Sequence, residues 1–161
     1  MSPSVSFWFF LYVSLGLAML FNIYPLPAFL SYLRPESLCL LVMYWVLVAP
    51  QRLGIAFAFS VGLLQSLVES SIWGGYSLAL CAIVYLCLKF QTRLRNYSLV
   101  HQSLWVFIWI FVHQVIVSWV QGLAGYEISF WHQVASALLS ATCWPFLFVS
   151  MNWLRRSYHV Q

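Results

Sequence analysis

The chain contains no aspartate and only three acidic residues, Glu36, Glu69 and Glu127. Seven basic residues bring the charged fraction to just 6%. A soluble domain carries roughly a quarter charged residues, so this set cannot cover a water-facing surface. With 63% hydrophobic residues and a mean hydropathy of +0.88, the composition is that of an integral membrane protein. The missing aspartate also excludes a Ser/His/Asp triad. His101, His113 and His132 are each followed by glutamine and show no His-x-x-x-His spacing, so neither a metal site nor a cofactor is expected. No glycine-rich phosphate loop appears. Cys39, Cys81, Cys87 and Cys143 all lie inside apolar runs and form no Cys-x-x-Cys pair, which reads as small buried hydrophobes. Met1 to Ser14 carry no charge, so the basic start of a cleaved signal peptide is missing and the first run should remain as a spanning helix.

What is present is a series of apolar runs punctuated by Pro, Gly and charge. The breaks predict six spans, at about 5–24, 37–49, 53–72, 76–88, 99–120 and 128–153, within a single transmembrane domain over 1–161. The loops are too short to fold alone. Spans two and four are brief: thirteen helical residues reach only about 20 Å, against a hydrocarbon core of about 30 Å. With the N-terminus inside, the inner loops hold Arg52, Lys89, Arg93, Arg95, Arg155 and Arg156, and the outer loops hold only Arg34. Cytoplasmic loops concentrate Lys and Arg, so both termini are expected in the cytoplasm. The net charge of +4 does not point to nucleic acid, because the cations cluster at the ends of apolar runs. Cytoplasmic Arg52, Lys89, Arg93 and Arg95 are expected to meet anionic membrane lipid or a cytoplasmic partner. Around span two, Pro35 suits a first helical turn, Glu36 sits near the positive end of the helix dipole, and Pro50 ends the helix beside Arg52.

Span three carries Gly54, Ala58, Gly62, Ser66 and Ser70 at four-residue spacing, one ridge of small residues along a helix. In lipid such a ridge lets two helix backbones approach closely. It serves either packing within the chain or docking of a partner's helix. Beside it lie Gln65 and Glu69, and an ionisable residue within a span is a candidate functional group. Span five carries His113, Gln114, Ser118 and Gln121, and span six carries Gln133, Ser136, Ala137, Ser140 and Ala141. These stripes point helices five and six toward the bundle interior and toward each other.

Three stretches carry a family resemblance. The first, 33-LRPESLCLLVMYWVLVAPQRLG-54, has Arg34, Pro35, Tyr44, Trp45, Pro50 and Arg52 in the pattern Arg-Pro, short aliphatic span, Tyr-Trp pair, Pro-x-Arg exit. The second, 59-FSVGLLQSLVESSIWGGYSLAL-80, matches at Gly62, Leu67, Ser70, Ser71 and Gly74. The third, 143-CWPFLFVSMNWLRR-156, matches at Trp144, Pro145, Arg155 and Arg156. Together they resemble MreD, the rod-shape-determining inner-membrane family of bacteria. One departure stands out: the family's intramembrane acid falls on Ser66 here, with Glu69 about one turn further on.

The resemblance implies a non-enzymatic membrane scaffold in the elongasome, the machinery for lateral peptidoglycan synthesis and rod shape. Its implied partners are MreC, the RodA glycosyltransferase with its transpeptidase partner, and the actin-like MreB. It also implies a fold similar to the substrate-binding subunits of energy-coupling-type vitamin transporters. The alternative function is a small-molecule-binding subunit of such a transporter, which would need a cavity drawing on Gln65, Glu69, His113 and Gln114. The candidate partner-helix interface is Gly54, Ala58, Gly62, Ser66, Glu69 and Ser70.

Overall fold

The computed structural model describes residues 3–23, 35–69, 74–123, 125 and 130–157. Among them are six helices and no strand: α1 (Pro3–Ile23), α2 (Ser37–Val48), α3 (Ile55–Val68), α4 (Gly75–Arg95), α5 (Leu99–Gly122) and α6 (Phe130–Ser157). The all-helical reading holds. Three helical stretches, Gly75–Arg95, Leu99–Gly122 and Phe130–Arg156, are long and apolar enough to cross a membrane. Phe7–Ile23, α2 and α3 are shorter apolar helices.

Two boundaries differ from the sequence reading for a shared reason. Helix α4 does not stop at Leu88 but continues through Lys89, Arg93 and Arg95. The stretch Lys-Phe-Gln-Thr-Arg-Leu-Arg contains no Pro or Gly and is rich in good helix formers. Charge there marks where an apolar environment ends, not where the helix does. At 21 residues, α4 is about 31 Å long and not short at all. Helix α6 likewise continues past Trp153 to Ser157, with Pro145 inside it. Helix α3, in contrast, ends at Val68, before the expected 72. Arg34, Ser70, Ser71 and Glu127 lie outside the described residues.

The bundle is arranged around α2. This helix packs on α1, α4 and α6, while α3 lies on α4, α4 on α5, and α5 on α6. Every residue from Leu38 to Leu47 is buried, on all sides of α2. A helix with no polar face has to be enclosed, and here protein encloses it. Its length of about 18 Å therefore need not match a bilayer. Among its described side chains helix α1 buries the stripe Phe7, Leu11, Leu15 and Ala18 and exposes Phe9, Tyr12, Leu17 and Leu20. Helices α3, α5 and α6 expose comparable apolar outer faces, including Phe59, Leu104, Trp119, Phe146 and Trp153.

Helix α2 starts at Ser37 with Glu36 as its N-cap, so Pro35 precedes the helix instead of occupying its first turn. The Ser140 hydroxyl on α6 accepts the Glu36 backbone N–H at 3.0 Å. At the other end Ala49 caps the helix, and its carbonyl accepts the N–H groups of Arg52 and Leu53, both at 3.1 Å. Pro50 lies within that turn.

Candidate functional site

The residues of the first motif anchor the central helix. The Tyr44 hydroxyl donates to Asn152 Oδ1 on α6 at 3.1 Å. Trp45 Nε1 donates to Ser14 Oγ on α1 at 2.9 Å. Adjacent residues of a helix point about 100° apart, so the pair ties α2 to two different neighbours. Phe7 meets Trp45 edge-on at 5.2 Å, and the Arg52 guanidinium sits 5.2 Å from the Phe7 ring centre. The third motif acts in the same manner. Trp144, fully buried on α6, donates from Nε1 to Gln102 Oε1 at 3.3 Å. Gln102 Nε2 in turn donates to the carbonyls of Leu94 and Tyr97, at 3.0 and 3.1 Å, and so clasps the α4–α5 turn. Gly74 is the N-cap of α4 at φ +100°, in the left-handed region where a side chain is strained.

The small-residue ridge of α3 is filled from within the chain. A Cβ on Gly62 would lie 2.7 Å from the Ser77 backbone nitrogen on α4. Ala58 and Ser66 are buried on either side of it, and the Ser66 hydroxyl donates to the Gly62 carbonyl at 3.0 Å. Gly62 of the candidate partner-helix interface thus packs on α4, with Ala58 and Ser66 buried beside it. Four-residue spacing shows that a backbone comes close, not whose backbone it is. Gly54 precedes α3 with open space around it, and Ser70 is outside the described residues. Glu69 is exposed at the end of α3. It accepts Gln65 Nε2 at 3.1 Å. Ser66 is buried and Glu69 exposed, so the two positions are not equivalent surroundings for an acid.

Helices α5 and α6 face each other through their polar stripes, as expected. Gln114 Nε2 donates to Ser136 Oγ at 2.8 Å, and Gln133 Nε2 to Ser118 Oγ at 2.9 Å. Bonds of this kind within a membrane contribute about 0.6–2 kcal/mol each and fix register. His113 is fully buried, its ring 6.2 Å from that of Tyr76, and neither ring nitrogen has a partner. Among the described residues no three His, Cys, Asp or Glu side chains converge as metal ligands. Gln114, Gln133 and Trp144 join helices through their side chains, and the Ser98 hydroxyl lies 2.8 Å from His101 Nδ1 at the exposed start of α5.

The chain was compared with known proteins on this basis. The profile of the rod shape-determining protein MreD family matches residues 3–154. The chain belongs to the MreD family. The rod shape-determining protein MreD of Haemophilus influenzae is 30% identical over 149 residues, covering 92% of each chain. No solved structure matches. Family membership makes this a membrane protein with a role in rod-shape determination, and the MreD family is a shape-determining one.

Four of the motif positions have structural roles: Tyr44, Trp45 and Trp144 bond between helices, and Gly74 caps α4 through its backbone. Their side-chain partners are Asn152, Ser14 and Gln102. Ser14 is a lone polar residue within an apolar run, the pattern that signals a partner, whereas Gln102 sits between His101 and Ser103 and carries no such signal.

Proposed function

We propose that the chain is a non-enzymatic scaffold subunit of the elongasome in the bacterial inner membrane, with six spans and both termini cytoplasmic. The observation that carries this reading is the MreD match across nearly the whole chain. Its interior supports the reading, because Gln114, Gln133 and Trp144 each bond a neighbouring helix. In this reading it binds MreC, associates with RodA and its transpeptidase partner, and meets MreB at the cytoplasmic face.

The face offered to a partner helix is the outward side of α3, ending at Glu69. Helix α3 has 14 residues, about 21 Å, and exposes Phe59, Leu64 and Leu67. A lipid-facing helix that short sits in hydrophobic mismatch, which association with another helix relieves. The transporter reading draws less support: Gln65 bonds Glu69 and Gln114 bonds Ser136, side chains held by their neighbours.

The test is affinity purification from membranes in mild detergent with mass spectrometry of the co-eluting proteins. The expected result is a single-span periplasmic protein together with a wall polymerase. Replacing Leu64 and Leu67 by alanine and Glu69 by glutamine should reduce that recovery while leaving the fold intact. Recovery of an ATPase pair instead would overturn the scaffold reading in favour of a transporter.

A further inference from the structure

Arg52 follows the end of α2, Arg95 closes α4, and Arg155 and Arg156 lie in the last turn of α6, while the three glutamates lie elsewhere in the sequence. Two cavities open where α2 ends. The first, about 230 Å³, is lined by Arg95, Arg155 and Arg156 over a floor that includes Leu47, Leu94 and Phe148. The second, about 290 Å³, is lined by Arg52, Arg95 and Arg155 beside Phe7 and Pro50. They share Val48, Arg95 and Arg155, so they adjoin. Among the described residues no aspartate or glutamate lines either one.

Two explanations compete for this arrangement. Arginines near a helix C-terminus complement its dipole, an effect of about 0.3–1 kcal/mol that fades within the last turn. That accounts for a cation near Val48. It does not account for arginines from the α2–α3 turn, from α4 and from α6 arranged around shared concave space. Guanidinium forks suit phosphate oxygens bidentately, and an apolar floor suits hydrocarbon. An anion with an apolar body fits both halves of the site.

We propose that the two adjoining cavities form one binding site for the phosphate-bearing headgroup of an anionic phospholipid. Arg95 and Arg155, common to both cavities, hold the phosphate, and Arg52 and Arg156 flank it. The missing carboxylate sets selectivity. A zwitterionic headgroup would bring an ammonium group that finds no partner here, while a net anion meets only positive charge. The site would thus hold lipid at the end of the central helix, where α1, α4 and α6 all meet it. The proposal rests on the membrane reading and not on the identity of any protein partner.

The test uses the full chain purified in detergent, with dioleoylphosphatidylglycerol and dioleoylphosphatidylcholine as probes and retained lipid read by native mass spectrometry. Phosphatidylglycerol should be retained in preference to phosphatidylcholine. Arg95→Gln and Arg155→Gln should each weaken that retention about fivefold. Lys89→Gln and Arg93→Gln, which lie outside both cavities, should leave it unchanged. Equal losses in all four variants would show diffuse attraction to a basic surface and overturn the site. Displacement of the lipid by free glycerol phosphate at equal concentration would mean a soluble phosphate ligand, and would overturn the lipid assignment. A measurement without variants guards against misfolding: phosphatidylglycerol should raise the melting temperature of the unmodified chain more than phosphatidylcholine does, and equal shifts would count against the proposal.

Discussion

Gly62 on α3 lies directly against the backbone of Ser77 on α4, so that a methyl group on Gly62 would fall 2.7 Å from the Ser77 nitrogen. The obstacle is main chain and cannot swing aside as a side chain would. Gly62→Ala should therefore destabilise the fold by about 1–3 kcal/mol, the usual cost of overpacking, and Gly62→Leu should prevent a stable fold. Gly54→Ala, eight positions earlier on the same ridge, meets nothing within 4 Å and should change stability by less than about 0.5 kcal/mol. Thermal unfolding in detergent, with size-exclusion profiles as a control for aggregation, separates the two. Equal effects at both positions would mean that α3 and α4 do not cross at Gly62.

The anchors of α2 make a second prediction. Removing either partner of Tyr44–Asn152 leaves the other without its hydrogen bond, so Tyr44→Phe and Asn152→Leu should each destabilise. The double variant should cost less than the sum, with a coupling of about 0.6–2 kcal/mol. Trp45→Phe with Ser14→Ala should behave likewise, through the 2.9 Å bond from the indole. Additivity between the pairs themselves is also expected, because one ties α2 to α6 and the other ties it to α1. A double-mutant cycle by unfolding in detergent measures both terms; zero coupling within a pair would remove that anchor.

Much of this fold was readable from spacing. Pro25, Pro50, Gly74 and the charged clusters separate the runs, and the polar stripes of Gln114 and Gln133 correctly turn α5 and α6 toward each other. The rest was hidden for definite reasons. The end of α4 was missed because Lys89 was taken to stop a helix, whereas lysine is a good helix former and stops only the apolar environment. The occupant of the α3 ridge was hidden because a run of small residues specifies a close approach from one side only. The partners of Tyr44 and Trp144 lie 108 and 42 residues away, and a lone chain does not encode such pairings locally. The arginine-lined cavities were invisible in a different way. Arg52, Arg95 and Arg155 belong to three separate charge clusters, and only the meeting of helix ends around Val48 brings them together.

The start of α4 is a third point of test. Gly74 caps it at φ +100°, and an L side chain in that region costs about 1–2 kcal/mol. Nothing lies within 4 Å of a Cβ there, so any loss in a Gly74→Ala variant comes from the backbone alone. The expected loss is about 1–2 kcal/mol. Gly74→Asn should lose less, since asparagine tolerates the left-handed region. Matching losses for alanine and asparagine would place the cause elsewhere than in backbone conformation.

Orientation in the membrane follows from the same charge distribution that frames the arginine cavities. Arginine at the centre of a span costs about 2.5–3.5 kcal/mol, so the basic end of the bundle is expected at a membrane surface, which the proposed topology makes the cytoplasmic one. In a background without native cysteines, Lys89→Cys and Arg93→Cys should react with an impermeant thiol reagent only after the inner membrane is opened. Glu69→Cys, exposed at the other end of α3, should react in intact spheroplasts. The pairing of these results matters more than either alone. Reaction of position 93 from outside with position 69 protected would invert the topology and put the C-terminus in the periplasm. Protection of both would mean that α3 does not reach the outer surface, leaving five spans and removing Glu69 from any partner approaching from that side.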